Sequence, residues 1–574
     1  MTQTLTRQQP AAAPIPTARS QRARKDPYVW VVLGVVLAAL LVLLGLPVAK
    51  LAVEAFSEGG RAAIVRTFSA DLSPLWNTLL LGVLVGILGT AVGFVMAYVQ
   101  VFLDFPGKKL LHALTLLPMI SPPFAVATAL ITMFGRRGII SYKLLGFEFD
   151  VYGLQGLVIV IAMTFAPLAY MNIRGMFENL DPSLFEAAKA LGASETRILF
   201  RVTLPMVVPA LLASFLILFV EGIADLANPL VLGGNFRVLA SQIYFAVAGQ
   251  GDMATAAGLA MVLLIPAVAV FSIQKYWANR KSVVTVTGKP TGVRRTVTDP
   301  WVKVPMLTLA ALWTILILLL FGAIVAGGFT NILGVDNTFS LGHYEFVARL
   351  GSTAIWTTLS MTLIAAPIAA LLAVCVGWLV VRQFPAGGRF LDFAGMLGSA
   401  IPGTVLGLGF ALAFAKPTWF MGQQILPALA GGLAVGSGAI AIILVYVARG
   451  IPAGQQATIA GLRQINPQVE EAAVSVGANA LQTLRLVTLP LIRPAIVTAV
   501  TYTLTKSMTT ITAIIFITTP QTKVITSQIL DEVDAGRFGN AFAYCTILIA
   551  LVLVVLGVTT LLMNAIGRTK AKTS

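Results

Sequence analysis

The sequence predicts an all-α integral membrane protein of twelve transmembrane helices, built as two parallel six-helix repeats. Three observations predict it. Of the 574 residues, 57% are hydrophobic and only 11% charged, against about 25% charged in soluble domains. Apolar runs recur along the chain, each near the ~20 residues that a helix needs to cross a bilayer. Two polar inserts, one per half, carry the same landmarks displaced by 285 positions: Glu186 and Glu471, Gly192 and Gly477, Pro205 and Pro490, Pro209 and Pro494.

The first six runs lie at about 29–49, 77–100, 112–134, 154–171, 207–226 and 254–274. The second six lie at about 305–327, 354–381, 391–415, 428–448, 495–517 and 541–563. Unpaired backbone groups are too costly in lipid, so these runs are helices. The alternation of a membrane barrel is absent. An even number of spans per half orients both halves alike, which makes the repeat parallel. Phe105-Pro106-Gly107 is matched by Phe384-Pro385-Ala386, Ser121-Pro122-Pro123 by Ile401-Pro402-Gly403, and Asn77-Thr78-Leu79 by Thr357-Thr358-Leu359.

The chain divides into a basic tail at 1–27, a first domain at 28–275, a polar linker at 276–303, a second domain at 304–566 and a tail at 567–574. With the amino terminus inside, 27 of the 39 Lys and Arg fall in inside segments, the stretch 449–493 among them. Basic residues resist translocation, so both termini are read as cytoplasmic in a multi-pass inner membrane protein. The net charge of +16 then reflects topology and attraction to anionic lipid heads. The basic residues are scattered over short loops, which argues against a nucleic-acid partner. The first apolar run follows Arg19, Arg22, Arg24 and Lys25 but lacks a clear cleavage site, so it reads as an uncleaved helix. Cys375 and Cys545 lie in apolar spans, as small core residues do. His112 and His343 are isolated, so no metal site is expected.

The duplicated insert has a clear local reading. Asp181 is a good N-cap and Pro182 suits the first helical position. Leu184, Ala188 and Leu191 fall on one helical face. Gly192 can take the left-handed conformation that ends the helix. Ser194 then caps a second short helix through Arg201, which Pro205 stops. In the second copy Asn466, Pro467, Gly477 and Asn479 repeat the sequence of roles. Small Ala187, Ala188, Ala472 and Ala473 let such a helix sink into a groove on another protein. An interfacial helix lying on the membrane is the competing reading, but it does not require two copies at identical spacing.

Glu-Ala-Ala, glycine four residues after the last alanine, and a closing Leu-Pro resemble the EAA loop of permease subunits of ABC-type importers. The resemblance spans both halves. It implies that Glu186, Ala187, Ala188 and Gly192 contact one ATPase subunit, and that Glu471, Ala472, Ala473 and Gly477 contact a second copy, each insert forming a cytoplasmic coupling helix. The fused layout, Pro122-Pro123 and the segment Ala224-Asp225-Leu226-Ala227-Asn228-Pro229 look like the ferric-iron type. Phosphonate and sugar-phosphate permeases share that layout. The resemblance also implies a periplasmic or extracellular solute-binding protein as partner. The outer-facing loops 135–153 and 227–253, with Arg136, Arg137, Lys143 and Arg237, are its expected contact area. The halves differ at Asn77 and Thr357, so unequal contact with substrate is expected.

This chain carries no G-x-x-x-x-G-K-[ST] phosphate loop; Thr287-Gly288-Lys289-Pro290 lacks both the upstream glycine and the hydroxyl residue. No cofactor is expected on it, ATP is assigned to the partner ATPase, and with no catalytic constellation it is read as a channel subunit and not an enzyme. Glu221 and Lys506 are intramembrane charges at matching places in the repeat. An ionisable group at that depth must be paired or wetted, so both are expected to face the bundle interior. Glu221, Asp225, Lys506, Thr509 and Thr510 are the candidate lining of a translocation pathway. A structural salt bridge between Glu221 and Lys506 is the alternative. An ion-coupled secondary transporter is the rival class, and it leaves the duplicated insert unexplained.

Overall fold

The computed structural model describes residues 26–280, 296–384, 387–420 and 423–571. The expected tail up to residue 25, linker positions 281–295 and the last three residues lie outside them. The described residues are 79% helical. Nine described helices are long and apolar enough to cross a membrane, and three bent pairs bring the possible total to twelve. Each half contributes six of these units, at the places the apolar runs mark. The linker and final tail are shorter than the sequence suggests. Helix Met253–Arg280 runs into the linker, helix Pro300–Phe329 begins before its end, and helix Phe538–Ala571 runs through most of the tail.

The third span of each half is sharply broken. Lys108–Ile120 meets Ala125–Leu144 at 107°, and Gly388–Ala400 meets Gly403–Phe414 at 98°. Pro122-Pro123 and Pro402 sit at these corners, where the missing N–H and the fixed φ prevent a continuous helix. Phe124 takes φ +71 at the first corner, a conformation that costs a non-glycine residue about 1–3 kcal/mol.

Small residues set the packing within each half. Helix Ser73–Phe102 packs on Leu154–Glu178 and Leu204–Ala224 through Gly82, Gly86, Gly89 and Gly93. A Cβ on Gly93 would lie 2.6 Å from the Ala169 Cβ. Its counterpart Ser352–Trp378 buries Ala365, Ala366, Ala369, Ala370 and Ala373 instead. Close backbone approach replaces the hydrophobic effect as the source of attraction between helices in lipid.

The halves are interlocked. The first helix, Pro27–Ala55, packs against Gly403–Phe414 and Ser352–Trp378 of the second half, with Trp30 edge-on to Phe384 at 5.9 Å. Pro300–Phe329 in turn packs against Ala125–Phe134 and Ser73–Phe102 of the first. Lys275 at the end of the first half pairs with Asp392 of the second at 3.0 Å, and Gln455 Nε2 donates to the same carboxylate at 2.7 Å.

The matched threonines of the repeat have a structural task. Thr78 Oγ1 accepts from Leu239 N at 2.8 Å, at the start of short helix Leu239–Ala248. Thr358 Oγ1 accepts from Ile525 N at 2.9 Å, at the start of Ile525–Asp534. Asn77, which differs from its repeat partner Thr357, donates to the Arg237 carbonyl in the adjoining loop. Thr358→Val keeps the shape but orphans a buried N–H, so stability should fall by about 1–3 kcal/mol. Thermal unfolding in detergent checks this; an unchanged midpoint would show that the bond contributes nothing.

Candidate functional site

Two knuckles project from the same end of the two halves. Asp181 Oδ1 accepts from Ser183 N at 2.9 Å and opens helix Pro182–Ala190. That backbone bond holds the Asp181 carboxyl below its ordinary range. Gly192 follows with φ +78, and Ser194 Oγ caps the next turn through Arg197 N. In the second copy Asn466 caps helix Pro467–Ser475, Gly477 has φ +98, and Asn479 forms a capping box with Gln482. Glu186, Ala187, Gly192, Glu471, Ala472 and Gly477 are exposed, while Ala188 and Ala473 are half-buried. The largest apolar tips match across the repeat: Leu191 is 89% exposed and Val476 is 90% exposed.

Pro205 does not stop the second short helix. The chain passes through a wider π-helical turn at Leu199–Thr203 and continues as Leu204–Ala224. One extra residue in that turn makes room for the proline ring. Leu484–Thr488 repeats the turn, but there the path then bends by 77° at Ile492. Each knuckle is therefore joined through one π turn to the fifth span of its half.

The knuckles are anchored by different chemistry. Phe185 is buried beneath the first and meets Phe102 edge-on at 5.8 Å, with Phe177 and Tyr98 completing an aromatic cluster. Its repeat equivalent is Glu470, 1% exposed, which pairs with Arg382 at 2.9 Å and accepts from Thr488 Oγ1 at 2.9 Å. Arg382 Nη2 also donates to the Leu462 carbonyl at 2.7 Å. Arg382 stands where the first half has buried Leu103. Asp26 adds a further tie, its Oδ2 accepting from Ala480 N at 2.9 Å just beyond the second knuckle.

The expected pathway residues come together. Glu221, Asp225, Lys506, Thr509 and Thr510 all line one cavity of about 140 Å³ between the halves. Both broken third spans border it, through Pro122, Pro123 and Gly403. Helix Leu204–Ala224 ends at Asp225 with ψ 127, and Arg493–Thr509 ends at Thr510 with ψ 128. The fifth spans thus stop at equivalent points, where irregular backbone can line a cavity without facing lipid. Asp225 accepts from Asn228 Nδ2 at 2.6 Å and from Ala227 N at 3.2 Å, so its carboxylate also shapes this turn. Among the described residues no carboxylate lies within the 4.0 Å ion-pair limit of Lys506, so Glu221 and Lys506 share the cavity without a salt bridge.

Arg449 joins them, which corrects its assignment to an inside loop. Helix Ala439–Gln464 runs well past the end of the apolar stretch, and Arg449 Nη1 donates to the Gly398 and Ile401 carbonyls at 3.2 Å. Those carbonyls flank the second break, so the guanidinium satisfies acceptors that the bend leaves open. The repeat carried the missing signal: the equivalent residue, Thr164, lies inside a span and lines the same cavity.

At the opposite end, Arg136, Arg137 and Lys143 border an open recess of about 1050 Å³. Three of the four basic residues expected to meet a partner already hold internal ones. Arg136 pairs with Asp150 at 2.8 Å, Arg237 with Asp71 at 3.3 Å, and Lys143 donates to the Gly334 carbonyl. Gly334 lies in the turn between strands β1, Thr330–Ile332, and β2, Asp336–Phe339.

Two interlocked halves with nine to twelve candidate spans around a shared polar cavity describe a multi-pass membrane transport subunit. The chain belongs to the family of binding-protein-dependent transport system inner membrane components, whose model matches residues 89–283 and 365–571. It is 35% identical over 510 residues to the ferric transport system permease protein FbpB of Actinobacillus pleuropneumoniae, covering 87% of this chain and 71% of that one. It is 33% identical over 540 residues to the putative ferric transport system permease protein FbpB 1 of Haemophilus influenzae, covering 90% and 82%. Over 199 residues it is 26% identical to the putative 2-aminoethylphosphonate transport system permease protein PhnU of Salmonella typhi, covering 33% and 69%.

Proposed function

We propose that this chain is the permease of an ATP-driven importer and carries ferric iron delivered by a solute-binding protein. The observation that carries this reading is the duplicated knuckle, with matched apolar tips exposed at Leu191 and Val476. Isolated exposed apolar residues need no explanation, but two at equivalent places in a repeat fit two copies of one partner. Two long relatives named for ferric transport supply the cargo.

In this reading the chain has twelve spans in permease domains 28–275 and 304–566, with both termini cytoplasmic. Each EAA helix, around Glu186, Ala187, Ala188 and Gly192 or Glu471, Ala472, Ala473 and Gly477, seats in one ATPase subunit. Nucleotide-driven closure of the ATPases moves both knuckles, and the π turns pass that motion to the fifth spans that end at the cavity. Glu221, Asp225, Lys506, Thr509 and Thr510 line the path. The binding protein docks over the recess at the opposite face.

The test is uptake of labelled iron into vesicles holding the complete complex. ATP should drive it, and ionophores that collapse ion gradients should leave it intact. Uptake that persists without the ATPase but stops with the ionophores would reassign the chain to ion-coupled transport. A phosphonate cargo is a second reading, favoured by the cationic Lys506 and Arg449 at the cavity and by the partial similarity to PhnU. Labelled phosphonate in the same vesicles separates the two.

A further inference from the structure

The cavity divides its charges by half. Glu221 and Asp225 come from the first half, while Lys506 and Arg449 come from the second. Lys506 lies in a helix of the membrane domain with no carboxylate within 4.0 Å among the described residues. A charge held there without a contact partner needs water or a ligand to offset its desolvation. A trivalent cation alone would be drawn to one wall and repelled by the other, and an oxyanion alone would meet the reverse. A cation in contact with an oxyanion matches both walls. The space of about 140 Å³ is several times the ~10–15 Å³ that a single water needs, so it has room for a small ion pair. Tyr502, Thr505 and Thr509 border the same space; Thr509 Oγ1 donates to the Thr505 carbonyl, while the buried Thr505 hydroxyl has no hydrogen-bond partner among the described residues.

We propose that Lys506 and Arg449 form an oxyanion subsite, and that the metal cargo crosses with a small oxyanion still attached. The metal faces Glu221 and Asp225, and the anion faces the second half. This rests on the ferric reading above and specifies the form of its cargo. Arg449 also holds the Gly398 and Ile401 carbonyls, so its replacement would disturb the bend. Lys506 is the cleaner test.

The experiment reconstitutes the full complex in vesicles with binding protein loaded with labelled iron and a second isotope on the anion. One arm uses inorganic phosphate and the other carbonate. The expected result is entry of anion and iron in near one-to-one ratio in at least one arm. Lys506→Gln should lower both together by about tenfold or more, Lys506→Arg should retain most uptake, and each variant should bind its ATPase as wild type does. Full-rate iron entry with neither anion, or Lys506→Gln with unchanged uptake of both, would overturn the subsite while leaving an iron importer. No iron entry by the wild-type complex would instead remove the ferric reading, and the subsite with it.

Discussion

Replacing both Leu191 and Val476 with aspartate is expected to release the ATPase subunits and reduce ATP-driven uptake to background. Both side chains are about nine-tenths exposed, so the change should alter folding stability by no more than about 0.5 kcal/mol. On docking, each would place an unpaired carboxylate where an apolar tip should fit. A hot-spot loss of about 2 kcal/mol or more at each site compounds to an affinity on the order of 10³-fold weaker. Co-purification of the ATPase with the membrane complex gives the readout. Retention at the normal ratio would place the docking surface elsewhere. Each single variant should lose less than the pair, because one docked subunit can still hold its neighbour near.

Breaking the Arg382–Glu470 pair should destabilise the second half far more than any change on its surface. Arg382 is 7% exposed and Glu470 is 1% exposed. Removing one member of a buried pair leaves an uncompensated charge, at a cost of about 3–5 kcal/mol. Glu470→Ala should therefore lower the thermal midpoint clearly and loosen the helix Pro467–Ser475. The first half supplies the control. It fills the same two positions with Leu103 and Phe185, so Arg382→Leu combined with Glu470→Phe should recover most of the loss. Apolar replacement of a buried pair is often neutral or better. Failure of the double variant to exceed Glu470→Ala would show that Arg382 acts mainly through its bonds to the Leu462 and Ile465 carbonyls.

The two anchors also mark how far one sequence can be read. Glycine at 192 and 477 was legible because a left-handed turn admits few other residues, and the structure has φ +78 and +98 there. The caps at Asp181 and Asn466 were legible because they act within three residues of themselves. The exchange of Phe185 for Glu470 was visible as a difference but not as a solution, since its partner lies 88 positions away at Arg382 (470 − 382). Arg449 was misplaced because hydropathy marks where apolar residues end, which is not where the helix ends. Pro205 was misread because a helix can absorb a proline by widening one turn, and that choice depends on what surrounds the turn.

The sequence alone determined the repeat, the number of apolar runs, the short helices with their glycine bends, and the matching places of Glu221 and Lys506 in the repeat. These follow from composition, spacing and local backbone preference, which act over a few residues. Only the tertiary structure decided that each half's first helix lies on the other half, that two broken spans and two ended ones meet at one cavity, and that its acidic and basic groups come from opposite halves. Those results depend on which surfaces of separate helices touch, and no local rule carries that information along the chain.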